Sequence, residues 1–591
     1  MSLNDDMIRV ANCSGFFGDR IEAAREMVEG GQIDFLTGDY LAELTMLILW
    51  KSAQKNGGGY ARTFLMQMED VLLSIKEKGI RVVSNAGGLN PAGLAKEIGS
   101  LADKLGVSLN ISHIEGDDIL KTLPDLMESG YDLAHLDTGV PLKDAGTSAI
   151  TANAYLGAFP IAAALDEGAD IVVTGRVTDA ALVIGPAIHK FGWKSDSYDE
   201  LAGAIVAGHI IECGAQACGG NYAFFKEIPG LEHPGFPIAE IYQDGSSVIT
   251  KHEGSGGAVT KGTVTAQLLY EIGSADYLNP DAIARFDTIK LNEEGKDRVR
   301  VSQVKGLAPT ENIKVCINLL GGYKNSVTFL LTGLDVNEKA KLAESTFFGA
   351  LGGKDKFDSV DVRLINRVGP DAKTNEEATS ELRVTVKDKD PNKVGRAFSD
   401  AATQMALSSY PGFHLPAPPS PGVPYGIYWP ALIPKDLVIP VVHMGEDKSF
   451  PLPHISSDLP YIPTETNPSN TYPDFGPTRK EPLGLIIGAR SGDKGGNANV
   501  GFWAKNDDSY LWLESFLTID KLRELLVETG DARTGLKITR VELRNILALN
   551  FVIVGLLGEG VASSVRPDPQ AKGLGEYLRG RLVDIPISLI R

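Results

Sequence analysis

The stretch Gly168-Ala-Asp-Ile-Val-Val-Thr-Gly-Arg-Val-Thr-Asp-Ala-Ala181 decides the fold. Ala169 to Val173 is a short apolar run broken only by Asp170, and Leu182, Val183 and Ile184 extend the alanines at helical spacing. The whole reads as a buried strand, a polar loop and the start of a helix. Thr174, Arg176, Thr178 and Asp179 crowd that loop. In open α/β sheets, loops at the carboxyl ends of strands are where ligands bind. A competing reading makes Arg176 and Asp179 a salt-bridged surface pair, with Thr178 or Asp179 capping the helix.

Outward from this stretch the same theme recurs. Ile8-Arg-Val-Ala leads into Asn12-Cys-Ser14-Gly-Phe-Phe-Gly-Asp19 and a helix from Arg20 to Glu29, with Gly15 and Gly18 read as turn glycines because no dinucleotide or P-loop pattern accompanies them. Ile33-Asp-Phe-Leu-Thr-Gly-Asp39 precedes a mostly apolar helix from Tyr40. Asp39 and Glu43, four apart, would share a helix face, which suits acid–base work or a metal as well as ordinary capping and dipole compensation. In Asn85-Ala-Gly87-Gly88-Leu-Asn90-Pro91, Asn90 is a natural N-cap and Pro91 a natural first helical residue. Free amides at Gly87 and Gly88 beside that helix start would make an anion site. A further strand is expected over Val107–His113 and a helix over Asn153–Leu165. These recurrences predict the α/β class, a largely parallel sheet with flanking helices over residues 7–234.

A helix over Leu201–Ile211 then meets Glu212-Cys-Gly-Ala-Gln216-Ala-Cys218. Glu212 has the stronger chemical case there; Cys213 and Cys218 read as a redox pair or as buried small residues. From 235 to 410 an α+β module is expected, with Asp244-Gly245 as a hairpin turn, Thr263 as an N-cap, and His252 as an acid–base group or a surface residue. Within it, 313–320 and 326–331 read as an antiparallel pair, strands follow over 360–365 and 381–386, and helices over 337–348 and 393–409. Residues 411–482 hold 17 of the 32 prolines and read as a wrapping segment or linker, with enough aromatics to pack on a neighbouring surface. Residues 483–591 restart as a small α/β sandwich, with a helix over 519–528 and one long or two short strands over 538–554. Its connection Arg490-Ser491-Gly-Asp493-Lys494-Gly-Gly-Asn497 could hold a carboxylate or phosphate, or form a charged hairpin loop.

Composition narrows the class. Hydrophobic residues are 43% and charged residues 23%, as in globular proteins. The formal net charge of −19 excludes a general binder of nucleic-acid backbone. The four cysteines, Cys13, Cys213, Cys218 and Cys316, lack disulfide-scaffold or zinc-ribbon spacing. No signal segment and no membrane-length apolar run are visible, so a cytoplasmic protein without membrane contact is expected. Residues 2–6 read as dispensable.

The motifs Asn12–Asp19, Thr37–Glu43, Asn85–Pro91, Thr174–Ala181 and Glu212–Gln216 together resemble the acyclic terpene utilisation AtuA family, and Ala489–Gly501 resembles the ferredoxin-like domain joined to it. That domain name concerns the fold; no cysteine follows Cys316, so no iron–sulfur ligation is implied. The resemblance implies catabolism of branched acyclic compounds carried as coenzyme A thioesters. For an acyl-CoA or carboxylate substrate, Asp179, Glu212 and Asp39 are the expected proton-transfer groups. Asn85, Gln216, Gly87 and Gly88 are the expected oxygen donors, and Arg176 holds an anion, with Thr178, Asn12 and Ser14 lining the site. The leading expectation is a lyase or hydratase of acyl-CoA catabolism, homo-oligomeric and without a certain cofactor. Two alternatives are a binding or assembly subunit for a pathway carboxylase and an enzyme using a divalent metal at Asp39, Glu43 and Asp179.

Overall fold

The repeated strand–loop–helix units fold as β1 (Met7–Asn12), β2 (Phe35–Gly38), β3 (Arg81–Ser84), β4 (Ile111–Glu115) and, after a strand outside this sheet, β5 (Ala149–Ala154), as β6 (Ile171–Thr174). In space β1, β2, β3, β6 and β4 run parallel in that order. The helices between and after them are α1 (Ala23–Glu29), α2 (Glu43–Asn56), α3 (Arg62–Lys78), α4 (Pro91–Leu105), α5 (Leu123–Glu128), α6 (Phe159–Asp166), α7 (Ala181–Phe191) and α8 (Tyr198–Ile211). Period-two alternation sorts the strand residues by face. Ala11, Leu36, Val82 and Val173 share a core with Met27, Phe64, Met68 and Ile98 of α1, α3 and α4. Val10, Phe35, Val83 and Val172 are equally buried outside that core, and α6 and α7 pack on the strands. Coverage of both faces is why these strands read as apolar runs instead of alternating ones. All the parallel strands deliver their carboxyl ends, and hence their polar loops, along one edge.

This computed structural model describes residues 6–56, 58–445, 448–452, 461–469, 471–526 and 535–590. The chain packs as two units, Met1–Asn318 with Tyr428–Val561 and Asp568–Arg591, and Leu319–Ile427 with Ala562–Pro567.

In the first unit the sheet is mixed. Antiparallel β7 (Pro237–Tyr242) pairs with β1, and β8 (Ser247–Lys251) with β7, across the turn at Asp244-Gly245. After α9 (Lys261–Leu268) come β9 (Asp276–Leu278), β10 (Ile283–Arg285), β11 (Lys290–Gly295), β12 (Arg298–Ser302) and β13 (Lys305–Leu307). β12 and β11 extend the large sheet beyond β8, and β13, β10 and β9 form a small sheet. The N-cap of α9 is Thr260, not Thr263; Thr263 is the third helical residue, and the two exchange hydrogen bonds as a capping box. Asn153, expected in a helix, lies in β5, and the helix starts only at Phe159 with Pro160 in its first turn.

The second unit is built on part of β14 (Asn312–Thr332), with α10 (Val336–Ala350), β15 (Ser359–Ile365) and β16 (Thr379–Asp388). β14 pairs with β16 from Tyr323 to Thr332, and β16 with β15, all antiparallel. The expected pair of strands over 313–331 is thus one strand. Gly321-Gly322 lies within the strand and does not turn, and the absence of a side chain at Gly321 leaves room for the Tyr425 ring. The expected helix over 393–409 is broken by Gly395 into α11 (Pro391–Val394) and α12 (Arg396–Thr403).

From the proline-rich segment, β17 (Val423–Pro434), β18 (Val441–Met444) and β19 (Lys448–Pro451) are regular, and β18 joins the large sheet beside β4. Trp429 Nε1 donates to Leu133 O at 2.9 Å and Tyr461 Oη to Asp276 Oδ2 at 3.0 Å, which accounts for the aromatic content. Beyond β20 (Thr478–Pro482), the terminal sandwich has β21 (Ile487–Lys494), β22 (Asn497–Ala504), α13 (Asp507–Phe516), α14 (Ile519–Leu525), β23 (Ile538–Leu543), β24 (Ala548–Ile553), α15 (Leu574–Arg579) and β25 (Leu582–Pro586). Its sheet order is β21-β22-β24-β23 around a core that includes Phe502, Trp512, Leu513 and Phe551. Arg490 to Lys494, expected in a connection, belong to β21, and only Gly495-Gly496 turns. Val527 and Glu528, the expected end of α14, lie outside the described residues, as do residues 2–5. No helix among the described residues is long and apolar enough to cross a membrane.

Candidate active site

Three carboxylates converge at the strand-end edge. Asp39 follows β2, Asp179 follows β6, and Glu212 follows α8. One oxygen from each lies within 4.8 Å of the others. Asp39 and Glu212 are 6% exposed, whereas the Asp179 side chain keeps 25% of its surface open to solvent.

Each is held differently. Asp39 Oδ1 accepts from Asn85 Nδ2 at 2.7 Å and from the Leu41 amide at 3.0 Å. Asp39 lies in the loop before α2, so it does not share a helix face with Glu43, the first residue of α2. Asp179 Oδ1 accepts from Arg176 at 2.8 Å, and the same guanidinium donates to Leu41 O at 2.8 Å. Arg176 is 3% exposed and lies over the Tyr155 ring at 4.1 Å. Its pairing with Asp179 fits the salt-bridge reading, but the pair is not a surface cap: neither Asp179 nor Thr178 caps α7, whose N-cap is Ala180 without a side-chain bond. Glu212 Oε2 is buried without a hydrogen-bond partner among the described residues. His209, one helical turn earlier, sets Nδ1 3.2 Å from Glu212 Oε1 without hydrogen-bond alignment.

Burial and the Asp179 charge push the Asp39 carboxyl well above the usual range. Burial, Asp179 and Glu271 do the same to Glu212, with Arg176 and Lys494 pulling back. Burial takes the His209 imidazole down to about 4. At neutral pH His209 is therefore a neutral ring, and the Glu212 carboxyl beside it is pushed toward its protonated form, so burial works against an ion pair. Glu43 goes the other way: burial pushes it up, but Lys314, at 3.5 Å, and Arg176 more than reverse this.

Several expected ligand contacts turn out to hold the loops together. Asn12 Nδ2 donates to Glu212 O at 3.3 Å, and Asn12 Oδ1 accepts the Ser14 amide at 2.9 Å. Ser14 Oγ bonds Phe16 O. The Gly88 amide closes a turn on Asn85 O at 3.2 Å, and a side chain at Gly87 would strike Thr174 O. Gly87 thus permits the close loop crossing, and the Gly88 amide is engaged within its own turn. Gln216 Oε1 accepts from Arg490, whose guanidinium lies over the Tyr270 ring at 4.4 Å. Lys494 Nζ reaches Glu271 O at 2.9 Å, and Asp493 lies 3.6 Å from Lys572. Ser491 and Asn497 bond elsewhere, to Ala571 O and to Asp137, so the five terminal-domain residues do not surround one anion. All four cysteines are free, and His252 bonds Met27 O.

Sequence reasoning missed His209, Glu271, Lys314 and Tyr155. Only His209 left a signal, at helical spacing from Glu212. The metal-capable trio contains Glu212 where Glu43 was expected.

An α/β protein with a buried carboxylate centre on its strand-end loops is the class these features define. Residues 8–444 match the acyclic terpene utilisation family protein AtuA, residues 482–584 match the AtuA ferredoxin-like domain, and the chain belongs to this family. No curated protein and no solved structure matches it.

Proposed function

We propose that the chain is an enzyme of acyclic terpenoid catabolism that moves a proton on a branched acyl thioester, of lyase or hydratase type. The observation that carries this reading is the convergence of Asp39, Asp179 and Glu212 beside Arg176. Two of these carboxyls are pushed toward the protonated form while the third is salt-bridged and open to solvent, and such a split separates acid from base. In a hydration, Asp179 would take a proton from the attacking water as oxygen bonds to Cβ. Glu212 would return one to Cα as the double bond is lost. Arg176 is occupied by Asp179 and Leu41 O, so it steadies the base.

A second reading places a divalent cation among the same three oxygens, supported by their spacing and by the unpartnered Glu212 Oε2. The experiment is a turnover screen across branched enoyl- and hydroxyacyl-CoA esters, with and without EDTA and with Asp179→Asn. Turnover that survives EDTA and fails in Asp179→Asn supports the first reading. Turnover restored only by Mg2+ or Mn2+ supports the second, and none on any thioester defeats both.

A further inference from the structure

His113 and His443 face each other near the edge of the large sheet. The first is in β4 and the second in β18, and the antiparallel register sets them directly opposite. Their rings stack with centroids 4.4 Å apart and planes 1° apart. Glu115 lies two residues beyond His113 in the same strand, so its side chain stands on the same face. Its carboxylate reaches both rings, Oε2 lying 3.4 Å from His443 Nε2 and Oε1 4.0 Å from His113 Nε2. One donor atom from each of the three lies within 4.8 Å of the other two. His443 Nε2 is shut off from solvent and has no hydrogen-bond partner among the described residues, an orphan that a buried polar atom rarely remains.

The geometry points to a transition-metal site at His113, Glu115 and His443, distinct from the carboxylate centre, that takes a cation of the zinc class through two imidazole nitrogens and one carboxylate oxygen. Imidazole donors select zinc, nickel, cobalt or copper over magnesium and calcium, which prefer oxygen cages. A tetrahedral ion with ligands at its usual bond lengths sets donor atoms about 3.3 Å apart. The His443–Glu115 edge already has that length. The other edges close by rotation of side chains that are 15%, 45% and 26% exposed for His113, Glu115 and His443.

The site would act as a clasp. β18 comes from the proline-rich segment, and a shared metal would fasten it to β4. Two residues past Glu115, Asp117 Oδ2 accepts the Arg176 amide at 2.8 Å, so the loop that continues the clasped strand carries an anchor of the carboxylate centre.

The test uses the full chain, stripped with EDTA and exchanged into chelator-free buffer, then titrated with Zn2+ by calorimetry and by thermal shift. One equivalent of Zn2+ should bind at this site and raise the Tm, and Mg2+ should not reproduce the effect. His443→Ala and Glu115→Gln should each remove that equivalent or weaken it by more than the roughly 10–100-fold loss caused by an outer-shell change, with far-UV circular dichroism unchanged. Zinc stoichiometry and affinity equal in the wild type and both variants would overturn the site, as would no stoichiometric binding to the wild type.

Discussion

Asn85 Nδ2 donates to Asp39 Oδ1 at 2.7 Å, while Asn85 Oδ1 accepts the Tyr40 amide at 2.8 Å. One amide side chain thus fixes a carboxylate from the neighbouring strand end and closes the loop that bears it. Asn85→Asp keeps the acceptor and replaces the donor with a fourth carboxylate. The variant should be destabilised, and more at pH 8 than at pH 5, because burying a further negative charge beside Asp39 costs most when it is ionised. Chemical denaturation at the two pH values measures this; an equal loss at both would mean that packing, not charge, sets the requirement.

Asp179→Asn retains an oxygen for the Arg176 bond and loses the charge. Turnover on the thioester found in the screen should fall by about 10²–10⁴-fold, the range for a general acid–base group. The Tm should move by only a few degrees. A collapse in stability with unchanged kcat in the surviving fraction would make Asp179 a structural partner of Arg176.

Asp117 is a separate pH-sensitive point. Its carboxyl accepts the Arg176 amide and Asn153 Nδ2, and burial pushes it up to about 7. An unfolded chain gives up this proton near the ordinary value of about 3.9. Between these values the native state binds more protons than the unfolded state, so this group's contribution to stability falls as pH rises from ~4 to ~7 and stays low above that. Asp117→Asn should flatten that decline while keeping both acceptor contacts. Thermal denaturation from pH 4.5 to 8 checks it, and parallel curves for variant and wild type would count against the assignment.

The glycines at the loop crossings separate packing from conformation. Gly87 has no positive φ, but an added Cβ would sit 2.5 Å from Thr174 O and 2.7 Å from Pro91 Cα. Gly87→Ala should therefore cost about 1–3 kcal/mol through forced loop displacement. Gly99, in α4, has only Ile111 Cδ1 within reach at 3.9 Å, and Gly99→Ala should stabilise by roughly 0.5–1 kcal/mol. Urea titration of the two variants tests the contrast; the same sign in both would refute it.

The parallel part of the sheet was readable because local chemistry and tertiary environment agree there. Asn90 caps α4 by accepting from Gly93, and Pro91 begins it, as their residue types require. The antiparallel extensions were harder to read. Nothing in Val441–Met444 says that it will lie beside Ile111–Glu115, because pairing across such a separation depends on the whole fold. Among site residues, Asp39, Asp179 and Glu212 were visible as carboxylates beside glycine loops. The pairing of Arg176 with Asp179 was one of the readings open from the sequence, but its bond to Leu41 O and the clamp that Asn85 makes on Asp39 were not visible, since such partners depend on which loop lies opposite. Ser491 was misjudged because its stretch was taken for a loop; in a strand, its side chain turns to the face opposite Arg490.

The approach of β21 to the carboxylate centre has a temporal side. Arg490 and Lys494 meet Gln216 and Glu271 from a strand made more than 200 residues later. A growing polypeptide that has completed the parallel sheet still lacks Lys494, so Glu212 and Glu271 remain without its positive charge until the terminal sandwich emerges and docks. Synthesis order alone would keep the centre immature until the sandwich that carries β21 has been made.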